Sequence, residues 1–219
     1  MSFASRQAWR EDPVDDQLVK LTPRDDLAAC AEVLARAFSV DPMYEALLGD
    51  AAARHTAIAR MFRGVLTHAA RYGEAWTTRR RWGVAAWMVP GQTEVTFWQM
   101  VRTGFALPRG MGGFPKEARR TFMTVFGELD RERRKLMQRP HWYLMAIGVR
   151  PDRQGHGVGS ALLEAVLPRA DAEGVGIYLE TQTERNVAFY QRRGFEVLKK
   201  TYVPELGIPL WSMAREAAT

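Results

Sequence analysis

The stretch that most constrains this chain runs from His141 to Leu163. A dense apolar and aromatic run of strand length, Trp142 to Val149, is closed by Pro151 and followed by a glycine-rich turn that opens into an apolar helical pattern. Gly155, Gly157 and Gly159 alternate along that turn. Leaving out three Cβ atoms so close together lets successive backbone N–H groups converge on one cluster of ligand oxygens. A helix starting near Gly157 adds its unpaired first-turn N–H groups and the positive end of its dipole. The stretch therefore predicts a strand, an anion-sized loop and a helix N-terminus, with a phosphate or pyrophosphate as the ligand.

Two nucleotide motifs fail on inspection. The dinucleotide fingerprint needs glycine where Ser160 stands, and the P-loop needs a Gly-Lys-Ser/Thr run that is absent. Gln154-Gly155-His156-Gly157-Val158-Gly159, directly after Val149-Arg150-Pro151, instead resembles motif A of the GNAT superfamily of N-acetyltransferases. Farther on, Ile177-Tyr178-Leu179-Glu180 reads as a strand, and Asn186 with Tyr190, Gly194 and Phe195 resembles the superfamily's motif B. Within the superfamily the chain looks most like the puromycin N-acetyltransferase group. That likeness includes Ala37-Phe38 with Asp41-Pro42, the strand ending Ala86-Trp87-Met88-Val89-Pro90, and Val203-Pro204-Glu205 with Trp211-Ser212-Met213. It is weakest from residue 92 to 140.

The resemblance implies an α/β fold: a mixed, mostly antiparallel, twisted sheet splayed at the coenzyme-binding strand, with helices on both faces. It implies acetyl-CoA as cofactor, coenzyme A as product and acetyl transfer to an amine by direct attack. Coenzyme contacts carry over to Ile147, Gly148, Val149, Arg153, Gln154, Gly155, His156, Gly157, Val158, Gly159 and Ser160, with Asn186 on the pantetheine arm. Tyr190 matches the family's general acid. Glu180, at a strand end facing the split, is the candidate base. Tyr44, Glu45 and Tyr143 are candidate acceptor contacts, and Gly148-Val149 is where a strand bulge would free a backbone N–H for the acetyl oxygen.

Elementary proton chemistry shapes these roles. Freeing a lysine-like amine of its proton at pH 7 costs about 4.6 kcal/mol, whereas an α-amino group near pKa 8 costs about 1.4 kcal/mol. A phenol near 10 donating to a thiolate near 8.5 is uphill by about 2 kcal/mol, so Tyr190 would act through a hydrogen bond or a concerted transfer.

The rest of the chain narrows the class. At 219 residues and 47% hydrophobic content it can bury a full core as one domain, placed here at 14–219 behind a loose polar leader, 1–13. No apolar run approaches the ~18 residues of a membrane span, so a cytoplasmic protein with no membrane partner is expected. The single cysteine, Cys30, sits at an apolar helical position and reads as core, and four histidines in no ligand spacing predict no metal. A net charge of +6 invites nucleic acid, but the cations are interspersed with acids, as in Arg131-Glu132-Arg133-Arg134-Lys135 on an expected solvated helix. The expected partner is a small-molecule amine, with an aminonucleoside or other antibiotic as candidates, and the chain a monomer or homodimer. A peptide acetyltransferase and a non-catalytic acyl-CoA-binding module are the alternatives.

Helical spacing predicts a first helix over Leu27, Cys30, Leu34 and Phe38, capped at Thr22-Pro23, and a first strand over Val14–Leu21. Asp41-Pro42 should break that helix before a short second one. His55 and His68 on a third helix, and His141, are expected at the surface. Glu74 to Arg79 and Trp82 to Val89 predict a hairpin. Two more helical patterns, one with Phe97, Trp98, Val101 and Phe105 and one with Phe122, Val125, Phe126, Leu129 and Leu136, read either as core or as pocket walls.

Overall fold

A computed structural model describes residues 17–218. The leader 1–13 and the start of the expected first strand lie outside the described residues. One seven-stranded sheet organises the rest, in the order β1-β2-β3-β4-β5-β7-β6. Its strands are β1 (Leu18–Leu21), β2 (Gly73–Thr78), β3 (Gly83–Met88), β4 (Trp142–Val149), β5 (Ile177–Thr181), β6 (Glu196–Val203) and β7 (Ile208–Arg215). All neighbours are antiparallel except β4 and β5. The mixed, mostly antiparallel sheet is as the sequence predicts.

Nine described helices cover the two faces: α1 (Leu27–Phe38), α2 (Pro42–Leu47), α3 (Ala51–Tyr72), α4 (Phe97–Arg102), α5 (Ala106–Gly110), α6 (Lys116–Leu136), α7 (Val158–Glu164), α8 (Leu167–Glu173) and α9 (Glu184–Gln191). Period-2 alternation along β3 divides the core. Val84 and Ala86 pack with α1, α3 and α6 on one face, while Ala85 and Trp87 pack with α7, α8 and α9 on the other. Cys30 is fully buried on the first of these faces, as its apolar spacing implies.

Several boundaries differ from the sequence reading for local reasons. Asp26, not Thr22, caps α1 by accepting from Ala29 N, because Thr22 is held in a turn by the Asp25 carboxylate at 2.6 and 2.8 Å. The helix expected after the glycine-rich turn breaks into α7 and α8 around Val166, where Pro168 cannot donate to the carbonyl four residues back. The pattern through Phe105 stops at Arg102, since Phe105 adopts a left-handed conformation at φ +55°. His68, expected at the surface, is 0% exposed and stacks beside Tyr72 at 5.3 Å. No described helix is long and apolar enough to cross a membrane.

Candidate functional site

The site begins with a defect in β4. This strand pairs with β5 only over Trp142–Leu144, so the two then fork. Its register with β3 slips between Ala86 and Trp87, leaving Met145 as an extra residue. Two observations show the phase change. Trp142 and Leu144 face the α7–α9 core, yet Ala146 faces the α1–α3 core and Ile147 and Val149 take over the former side. Likewise Trp142 N donates toward β5, to Gly176 O at 2.9 Å, whereas Arg150 N, an even number of residues later, donates toward β3, to Trp82 O at 2.8 Å. The phase puts the N–H groups of Ile147 and Val149 on the fork side, where β4 has no strand partner.

The bulge is therefore at Met145 rather than at Gly148-Val149. Gly148 answers a packing need instead: a Cβ there would lie 2.9 Å from Ala37 Cβ and Leu34 Cδ2, so glycine lets α1 approach β4.

Below the fork the glycine-rich turn takes the expected shape. Gly155 and Gly157 both have φ +81°, Gly157 is the N-cap residue of α7, and no side chain caps the first-turn N–H groups of that helix. Gln154 ties the turn to the strand by donating from Nε2 to Val149 O at 3.2 Å. His156 turns its ring to Gln154 O at 2.9 Å. Arg153 stacks over Trp82 at 4.6 Å. The Ser160 hydroxyl accepts from Arg193, whose guanidinium lies 3.8 Å from the Phe189 ring centroid.

A small cleft of about 80 Å³ lies in the fork. It brings together Tyr190 and Asn186, one turn apart on α9, with Glu180 from β5, Leu144 to Ile147 from β4, and Tyr44 and Tyr143. Glu45 is not brought there; it faces Arg54 at 3.7 Å, half exposed. Sequence reasoning missed Asp41, which caps α2 by accepting from Met43 N at 3.0 Å and also lines the cleft.

Electrostatics distinguish these groups. Burial pushes the Glu180 carboxyl up to about 7, with the nearby Tyr143 and Tyr178 hydroxyls and the Arg133 guanidinium pulling the other way. Its Oε1 is buried with no hydrogen-bond partner. Burial also raises Asp41 to about 6 and lifts the Tyr190 phenol above its ordinary range. Tyr190 thus stays protonated at neutral pH, while Glu180 is poised between its two forms.

Two residues expected at the surface hold this region from behind. Arg133 is 2% exposed: it pairs with Asp130, donates to Thr93 O at 3.3 Å and lies 5.2 Å from the Tyr143 ring centroid. His141 is buried, and burial lowers its pKa. Because Arg133 Nη1 can only donate across the 3.2 Å contact, His141 Nε2 accepts, and the proton on Nδ1 goes to Arg139 O at 2.8 Å. The solvated-helix reading of residues 131–135 fails at Arg133 because that side chain turns inward toward β4.

Tyr44, Tyr143, Phe126 and Leu129 also belong to a second, larger cavity of about 950 Å³. Phe122, Phe126 and Leu129 of α6 form part of its wall, so this pattern is pocket as well as core. Phe97 and Trp98 point to solvent, 60% and 69% exposed, and do neither.

Comparison with known proteins agrees with this geometry. Residues 122–195 match the family model of the Acetyltransferase (GNAT) family. An uncharacterized N-acetyltransferase of Schizosaccharomyces pombe is 31% identical over 144 residues, covering 63% of this chain and 57% of the relative, so the chain spans little more than half of that protein. In fold, the histone acetyltransferase HPA2 and related acetyltransferase from Corynebacterium glutamicum superposes with a TM-score of 0.62 at 23% identity, covering 93% of this chain and 97% of the other. The Drosophila melanogaster polyamine N acetyltransferase gives 0.59 at 12% identity, covering 91% and 100%. The matched segment contains the forked strand β4, the glycine-rich turn and α9, and the two structural neighbours share the fold.

Proposed function

We propose that this chain is an acetyl-CoA-dependent N-acetyltransferase acting on a small-molecule amine by direct attack. The observation that carries the reading is the fork itself, where Glu180 and Tyr190 share one small cleft that opens on a far larger chamber. The residues present fit the coenzyme. Uncapped N–H groups at the start of α7, the two left-handed glycines of the turn, and the unpaired N–H groups of Ile147 and Val149 offer donors for a diphosphate and for an acyl oxygen. Bound acetyl-CoA would supply the acetyl thioester.

The chain's own groups divide the remaining work. Glu180, half deprotonated near neutral pH and with a free buried acceptor atom, takes the amine proton directly or through one water. The amine nitrogen bonds to the acetyl carbon as the carbon–sulfur bond breaks. The buried Tyr190 hydroxyl hydrogen-bonds the departing sulfur, and the strained pKa order requires that proton transfer be concerted with departure. Asn186, one turn earlier and lining the same cleft, would bind the pantetheine amide. Cys30, buried in the α1 core, has no access to an acyl group, which favours direct attack over a covalent intermediate.

An acceptor amine of small-molecule size suits a chamber walled by aromatic and aliphatic side chains, whereas a peptide acceptor calls for an open acidic groove. Aminonucleosides, suggested by the sequence resemblance, belong to the first class. The test is thiol release from acetyl-CoA with a panel of amine antibiotics, polyamines and peptides, alongside calorimetry of acetyl-CoA. Binding and amine-dependent release are expected, and Gly157→Val should abolish binding because φ +81° is strained for any β-branched residue. Absence of acetyl-CoA uptake by the wild type would overturn the reading. Acetyl-CoA uptake without amine-dependent thiol release by the wild type would instead favour a binding module.

A further inference from the structure

The large chamber is polarised along α6. At its inner end, where it meets the fork, stand the Asp41 and Glu180 carboxyls with Tyr143. Its middle is the apolar stripe Phe122, Met123, Phe126 and Leu129. At its outer end Lys116, Arg119 and Arg120, from the first turns of α6, line the cavity, and no ion pair engages them among the described residues. From Arg120 to Leu129 the helix advances nine residues, or about 14 Å at 1.5 Å per residue.

Five cationic side chains face the chamber against two carboxylates, and both carboxylates are already engaged. Asp130 pairs with Arg133 and, at 2.6 Å, with Arg134; Glu94 lies 3.3 Å from Arg134. Three positive charges are thus in excess, and they are the three at the outer end.

We infer that the acceptor is an elongated amphipathic amine whose far end carries an anionic group, a carboxylate or phosphate held by Lys116, Arg119 and Arg120. The inference rests on the N-acetyltransferase reading and adds to it a substrate class. An apolar body of about 14 Å spans the distance from Arg120 along the stripe to Leu129. The amine enters the carboxyl-bearing fork, loses its proton to Glu180 and gains the acetyl group as the thiol leaves. A polyamine or a basic peptide would instead put a second ammonium among three unpaired cations, where like charges repel. A guanidinium at that end would meet the same field.

A matched series tests this with the full chain: 12-aminododecanoate, dodecylamine and 1,12-diaminododecane share one apolar body and differ only at the far end. Each is measured for binding by calorimetry and for turnover with acetyl-CoA. The amino acid should exceed the diamine at least tenfold in both, with dodecylamine between them. In an Arg119→Glu/Arg120→Glu variant, the order of amino acid and diamine should reverse while acetyl-CoA affinity is retained. Equal binding of the three probes, preference for the diamine, or an unchanged order in the variant would overturn the inference even if acetyl-CoA binds and turns over. If acetyl-CoA fails to bind, the enzymatic reading falls, yet the probe affinities still decide whether the chamber selects for an anionic end.

Discussion

At the scale of single residues, the site's chemistry depends on burial acting in the same direction on two acids with opposite tasks. Burial raises Glu180 into the neutral range, which suits the carboxylate to the proposed role of base at physiological pH. The same burial keeps Tyr190 a donor. The profile of kcat/KM should therefore rise with pH along a limb centred near 7, above which Glu180 is ionised. Glu180→Gln should lower kcat/KM about 100-fold and remove that limb, within the range general bases contribute. Stopped assays from pH 5.5 to 9, using an acceptor whose own pKa lies outside the window, check it. For Tyr190→Phe the expected result is a fall in kcat of at least about tenfold with little change in acetyl-CoA affinity, because in the proposed mechanism the hydroxyl acts on the leaving sulfur rather than on the bound ground state.

At the scale of elements, the fork between β4 and β5 makes a cleft from an otherwise closed sheet, and Gly148 sets how closely α1 backs it. Gly148→Val should cost about 1–3 kcal/mol by overpacking against Ala37 and Leu34, read as a lowered melting temperature. The conservative Gly148→Ala should cost less. This element scale also shows what a sequence can and cannot reveal. The glycine turn and the Asn186–Tyr190 pair were legible because their geometry is encoded within a few residues, by φ at Gly157 and by helical spacing. The bulge at Met145 was not, since it arises from register with β3 some sixty residues earlier, and glycine at 148 pointed to the wrong place. Arg133 and His141 escaped for the same reason: their polarity favours the surface, and only the meeting of α6 with the start of β4 pairs them with each other. Asp41 was readable as a helix breaker, but its position in the cleft depends on how α2 lies across the fork.

At the scale of the whole molecule, a site built this way makes folding stability depend on pH in a direction opposite to most surface carboxylates. Glu180 has a folded pKa raised to about 7 from 4.5, so between those values the folded chain binds more protons than the unfolded one. Its contribution is fully present below about 4.5 and is lost as pH rises through about 7. Asp41, raised to about 6, acts in the same sense. Other groups oppose them: Glu74, held down by Arg169 and Lys20, and Asp171, held down by Arg215, lose stability as pH falls through their lowered values. Buried His68 and His141, both lowered, cost stability as pH falls below about 6.5. The raw melting curve mixes these terms, but the difference between wild type and Glu180→Gln isolates one, because the other groups are common to both. That difference should be constant below about pH 4.5, grow in favour of the variant between pH 5 and 7.5, and level off above it, by an amount of a few kcal/mol at most. Thermal melts of the two proteins in matched buffers measure it. A difference independent of pH would mean that Glu180 is solvated in the folded state and so is not held ready to act as a base at the fork.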